Sequence, residues 1–338
     1  MLSKMLKWAL VGAGSLLVLI VLGGAIYQEV AESEDLARFP APGKLIDVDG
    51  HLMHIHCRGE GSPTAVVELG VGAIASSWDE IHRQMSLVTR VCFYDRAGLG
   101  YSEPIDYWPR ASQVAELLDK LLRGAGIDDD LILVGWSAGG VYAREFYRRR
   151  PERIRAMLLL DSSHEQQARK LPTPPRAGGN SALEFARFLA PLGLVRVSGL
   201  VKTRFESFLG TDELRARLIA LYQQSHVVGA MLRESQAFDL DIDGDLPTSL
   251  DDLPLIVLTE GKRLETESIS PTELEYERRR REVKHELQRE LAALSTRGRQ
   301  IVAFRSGHGI QTDQPELVIE SLTELVQLVR NEARDRAD

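Results

Sequence analysis

The sequence lacks any excess of positive charge. Its 41 lysines and arginines stand against 49 acids over 338 residues, a formal charge of −8. No nucleic-acid partner is therefore expected. There is no internal repeat and no low-complexity tract, so neither a solenoid nor a disordered array is indicated. Cysteine is scarce. With only Cys57 and Cys92 present, at most one disulfide can form within the chain. What remains is 44% hydrophobic and 27% charged, a composition that suits one large α/β domain with insertions.

The N-terminus stands apart. Trp8 to Tyr27 carries no charge, and Leu10 to Ile26 is almost entirely apolar or glycine, long enough to cross a bilayer. Lys4 and Lys7 precede this run, and Glu29, Glu32, Glu34 and Asp35 follow it. The charge asymmetry predicts a cytoplasmic N-terminus and a single-pass anchor over residues 1–28, with everything after it extracytoplasmic. The alternative is secretion after signal cleavage at Ala25 or Ala31, although a signal peptide usually has a shorter apolar region. A buried soluble helix would need a polar face, which this run lacks. Residues 29–43, polar and then proline-rich, read as a linker.

The chemistry gathers at Leu131 to Gly140. Leu131 to Val134 reads as a buried parallel strand, Gly135-Trp136-Ser137-Ala138-Gly139 is a G-x-S-x-G turn, and Val141 to Arg150 carries helical spacing. The glycines leave room for a strained turn that lifts the Ser137 hydroxyl clear of the sheet. The turn also places the Ala138 N–H at a helix start, suited to receiving an oxyanion. Around it, strands are expected at 44–48, 52–57, 65–69, 90–94, 156–160, 255–259 and 300–304. Helices are expected at 78–87, 112–124, 273–294 and 315–334. Between 163 and 252 only helical signals appear, at roughly 181–192, 195–208, 212–225 and 226–238. The alternation of strands and helices predicts a mostly parallel sheet. Its ligand site should lie at the carboxyl ends of the strands, where Gly70-Val71, Ser137, Asp161 and His308 all fall.

On four landmarks in order, the chain resembles the α/β-hydrolase superfamily over residues 44–332. They are ELGVG at 68–72, YDRAGLGYS at 94–102, GWSAG at 135–139 and SGHGIQ at 306–311. The resemblance implies an eight-stranded, mostly parallel sheet with helices on both faces. It divides the core into residues 44–162 and 253–338, with a helical cap at 163–252. It implies Ser137 as nucleophile, His308 as base and then acid, and the backbone N–H groups of Val71 and Ala138 as oxyanion hole. Leu69-Gly70 stands where many members carry His-Gly, but the Val71 contribution comes from its backbone. The triad acid has three candidates. Asp161 follows one strand; Glu260 and Glu265 follow the next, where the commoner family position holds no aspartate. In the family topology the strands of Cys57 and Cys92 are antiparallel neighbours, so the pair is either bridged or two buried thiols.

No cofactor and no metal is implied. His51, His54 and His56 lie in or beside one strand, with His54 and His56 two apart; they read as a hairpin surface, and a metal site would need more ligands. Asp95 and Arg96 are expected to hold their loop rather than take part in chemistry. His164 stands just past a strand end and reads either as an ordinary loop histidine, the preferred reading, or as a residue that touches substrate. Phe185, Phe188, Leu189, Leu192, Phe205 and Phe208 are candidates to line an apolar pocket or to fill the cap core. These features point to a membrane-anchored serine hydrolase that cleaves an ester or other small acyl substrate through an acyl-enzyme on Ser137. A serine at that position speaks against epoxide and haloalkane hydrolases, which ordinarily use a carboxylate. Two alternatives stay open. One is an aminopeptidase-like hydrolase, with Asp239, Asp241, Asp243 and Asp245 meeting a substrate amine. The other is a non-catalytic module that binds a small hydrophobic ligand.

Overall fold

The structure is a computed structural model that describes residues 2–173, 180–206, 208, 210–241, 246–263 and 270–336. It opens with helix α1 (Leu2–Arg38) and strands β1 (Lys44–Val48), β2 (His51–Arg58) and β3 (Thr64–Glu68). Helix α2 (Asp79–Met85), β4 (Val91–Tyr94), α3 (Ala111–Gly124), β5 (Leu131–Trp136), α4 (Gly139–Arg149) and β6 (Ile154–Leu160) follow. A helical stretch then runs through α5 (Gln167–Lys170), α6 (Ser181–Leu189), α7 (Leu194–Val197), α8 (Leu200–Phe205), α9 (Asp212–Tyr222) and α10 (Ser225–Asp241). The chain closes with β7 (Leu255–Glu260), α11 (Pro271–Ala292), β8 (Gly298–Ala303), α12 (Ile310–Asp313) and α13 (Pro315–Asp335).

The strands form one sheet in the order β1-β2-β4-β3-β5-β6-β7-β8. Strands β1, β2 and β4 pair antiparallel, and the remaining neighbours pair parallel. The expected α/β-hydrolase fold is therefore present. Its central strands read as unbroken apolar runs because both faces are covered. Leu131, Leu133, Met157, Leu159 and Val257 face α3 and α4 through Leu118, Leu122 and Phe146. The alternate residues Ile132, Val134, Leu158 and Ile256 face α2 and α13 through Met85, Leu322 and Val326. Period-two alternation thus feeds two hydrophobic layers.

Two compact units can be distinguished: Met1–Ala41 with Asn180–Leu232, and Pro42–Gly179 with Arg233–Asp338. These boundaries differ from the expected cap at 163–252, because the described residues 163–173, 233–241 and 246–252 fall in the second unit. The expected linker at 29–43 is also shorter. Helix α1 continues to Arg38, since Glu, Ala and Leu dominate its last turns and favour helix. In the first unit, α1 is fixed by polar contacts near its end. Gln28 donates to the Gln223 carbonyl (2.7 Å), the Ser225 N–H donates to Glu32 (2.6 Å), and Arg196 pairs with Asp35 (2.7 Å).

Candidate active site

Strand β5 delivers Ser137 at its carboxyl end with φ 56°, in the left-handed region that an L residue occupies only under constraint. The constraint is visible. The Ser137 N–H donates to the Leu160 carbonyl (3.2 Å), while its own carbonyl accepts from Gly140 (3.1 Å) and Ser163 (2.9 Å). Gly139 permits the turn, since a Cβ there would stand 2.0 Å from the Glu68 carbonyl oxygen. Gly70 permits the approach of the neighbouring loop, as its Cβ would lie 3.0 Å from that of Ser137. Val71 follows Gly70 in that loop, and Ala138 follows Ser137 at the head of α4. Among the described residues neither N–H is taken up in a turn, loop or cap hydrogen bond.

The loop that carries Val71 is clamped from behind. Arg96 donates to the carbonyls of Leu69 (2.8 Å) and Gly70 (2.7 Å), and its guanidinium is held by Glu234 of α10 (2.6 and 2.9 Å). Glu234 also accepts from the Gly72 N–H (2.8 Å). All these side chains are buried. Asp95, one residue earlier, accepts from the backbone N–H groups of Ala75 (2.7 Å) and Tyr101 (3.1 Å) and pairs with His54 Nδ1 (2.7 Å). His54 is therefore a fully buried partner of Asp95 and not a hairpin surface residue. Among the described residues no group of three His, Cys, Asp or Glu is arranged to hold a metal.

The Asp161 carboxylate, at the end of β6, meets His308 Nδ1 at 2.5 Å. Lys284 of α11 pairs with the same oxygen, while the other accepts from the Glu260 N–H (3.1 Å). Burial pushes the Asp161 carboxyl upward, but His308 and Lys284 outweigh burial and hold it below the usual aspartate range. His308 is anchored on its other side by Trp136, whose Nε1 donates to the His308 carbonyl (3.0 Å) and whose ring lies 5.1 Å away. Of the other candidate acids, Glu260 is buried and turned toward Arg280 (3.1 Å) and Lys284 (3.5 Å). Glu265 lies outside the described residues.

Ser137, Asp161 and His308 line one cleft of about 310 Å³, together with His164, Gln167, Leu171, Glu260, Arg280, Lys284 and Gln288. Burial lowers the pKa of the His164 imidazole, so it lines the cleft as a neutral group near pH 7. The cleft thus gathers a hydroxyl and an imidazole with one nitrogen fixed by a carboxylate, two components of acyl transfer. Lys284, Arg280 and Gln288 escaped sequence reading because α11 is so highly charged that its whole surface reads as solvated. Their i, i+4 spacing, continued by Leu287 and Leu291, was the available signal. The Arg96–Glu234 clamp joins residues 138 positions apart, which no local pattern encodes.

Within the first unit, the aromatic candidates separate. Phe205, half-buried, stacks with Phe208 (5.8 Å between centroids) and Tyr222 (5.1 Å), whereas Phe185 and Phe188 are exposed. Asp243 and Asp245 lie outside the described residues, as do the side chains of Asp239 and Asp241. Cys57 and Cys92 stand directly opposite in the β2–β4 register and are joined as a disulfide.

Comparison with known proteins agrees with this architecture. A model described as "Alpha/beta hydrolase family" matches residues 34–321. An "AB hydrolase superfamily protein" of Gibberella zeae is 26% identical over 286 residues, covering 79% of this chain and 87% of its own. A probable hydrolytic enzyme from Pseudomonas aeruginosa superposes with TM-score 0.62 at 15% identity, over 85% of this chain and 95% of that one. A membrane phospholipase A, a bacterial virulence factor, superposes with TM-score 0.58 at 19% identity, over 98% of this chain and 100% of that one.

Proposed function

This chain belongs to the alpha/beta hydrolase family, and from that premise we propose that it is a membrane-anchored serine hydrolase acting on an ester or other small acyl substrate. The observation that carries the proposal is the shared cleft, lined both by Ser137, strained at its turn, and by a His308 already bound to Asp161. His308 Nε2 takes the proton as Ser137 Oγ attacks the acyl carbonyl carbon. The tetrahedral oxyanion forms against the N–H groups of Val71 and Ala138. Collapse expels the leaving group, which receives the proton from His308, and leaves an acyl group on Ser137. Water, deprotonated by His308, then attacks the acyl-enzyme and releases the acid. Throughout, Asp161 fixes Nδ1–H and stabilises the imidazolium. Lys284 keeps Asp161 ionised.

Helix α1 supplies the anchor in this reading. It is a 35-residue apolar candidate span with none of its most apolar window buried. The match to a membrane phospholipase A extends over this part of the chain. The Cys57–Cys92 disulfide favours an extracytoplasmic catalytic domain. A series of p-nitrophenyl esters of rising acyl length, with amide and lactone controls, tests the activity. Turnover of at least one ester, abolished in Ser137→Ala, is the expected result. No turnover by folded wild type would favour a ligand-binding module. Retention of full-length protein in membranes after an alkaline carbonate wash tests the anchor.

A further inference from the structure

We propose that the cap segment Ser181–Phe205 rests on the bilayer beside the anchor and presents Phe185, Phe188, Val197 and Leu200 to lipid. The proposal rests on the reading of α1 as a membrane span. A hydrocarbon core of about 30 Å takes roughly 20 helical residues at 1.5 Å each. The uncharged run Trp8 to Tyr27 therefore fills it, and Gly24 lies about one turn inside its boundary. The contacts of α1 mark the same boundary independently. From Gln28 onward its partners are polar: the Gln223 carbonyl, the Ser225 N–H and Arg196. At Gly24 the partner is instead the backbone of Leu192, so close that a Cβ on Gly24 would stand 2.5 Å from the Leu192 oxygen. Gly193 lies against the Tyr27 ring in the same way, its Cβ position 2.8 Å from a ring carbon. The turn at 192–193 thus touches the lipid-facing length of the anchor, and the helices on either side of it, α6 and α7, cannot lie in bulk water.

Their surface agrees. Outside α1, ten large apolar side chains are exposed among the described residues. Five of them, Phe185, Phe188, Leu194, Val197 and Leu200, fall within this one segment, with Phe185 at 67% and Leu200 at 70% exposure. Arg187 lies among them and Lys202 and Arg204 follow directly, basic groups suited to anionic headgroups at an interface.

The test uses full-length protein in nanodiscs of mixed zwitterionic and anionic lipid. Single nitroxide labels are placed at Leu17→Cys, Phe188→Cys, Leu200→Cys and Asp212→Cys, and the bridged native cysteines do not compete for label. Power saturation compares oxygen, which partitions into lipid, with a water-soluble nickel chelate. The labels at 17, 188 and 200 should relax more strongly with oxygen and the label at 212 more strongly with nickel. Labels at 188 and 200 that favour nickel, while 17 favours oxygen, overturn the proposal and leave the anchor standing. Labels at 188 and 200 shielded from both reagents mean that a second protein copy covers this face, which also overturns it. A nickel-accessible label at 17 removes the anchor and this proposal together.

Discussion

The Nδ1 of His308 lies 2.5 Å from a carboxylate oxygen of Asp161, so the histidine is tied to the strand next to the nucleophile's and not to the strand beyond it. This contact separates two carboxylates that compete for one role. Asp161→Asn should lower kcat by about 10⁴-fold, because the amide supports the wrong imidazole tautomer. Glu260→Gln should lower it by less than about tenfold, since Glu260 faces Arg280 and Lys284. Steady-state kinetics on a p-nitrophenyl ester, with circular dichroism to confirm folding, decide the matter. The reverse ranking would move the acid to β7.

Arg96 reaches the chemistry only through the loop it clamps. Arg96→Lys keeps the charge but cannot hold both the Leu69 and Gly70 carbonyls, so the Val71 N–H should drift from its place. The expected loss is about 10²-fold in kcat, the scale of one oxyanion donor, with KM changed less than threefold. Glu234→Gln should show a weaker version of the same split. A loss confined to KM or to thermal stability would make the clamp purely structural.

Glu68 sits fully buried at the end of β3, and burial pushes its carboxyl up to about 7 despite Arg96 and the Tyr94 hydroxyl. The folded state therefore retains a proton that the unfolded chain releases near pH 4.5. Stability should fall as pH rises between those values, and the full cost should be present above pH 7. The shift corresponds to a difference on the order of 3 kcal/mol. Melting curves from pH 5 to 8 should slope downward for wild type, and Glu68→Gln should flatten that slope. Superimposable slopes would contradict the assignment.

Much of this was legible in the residues themselves. The central strands are legible as apolar runs because covered faces demand them, and the glycines of 135–139 mark the elbow because no Cβ fits there. Asp161 stands at a strand end, one of the two places where the family resemblance allows the acid. The partners that come from distant segments were not legible. Glu234 meets Arg96 across 138 residues, and Lys284 is one cation among many on α11. His54 looked like a surface residue because the β1–β2 hairpin signal says nothing of what packs on it. Asp95 and Pro42 bury it.

The central claim is that Ser137 is a nucleophile activated by its cleft. A fluorophosphonate probe, followed by peptide mass spectrometry, tests it most directly. Wild type should gain one phosphonyl group on the peptide containing Ser137, and Ser137→Ala should gain none. Asp161→Asn should label much more slowly. An unlabelled but folded wild type, or a label on any other serine, would contradict the account.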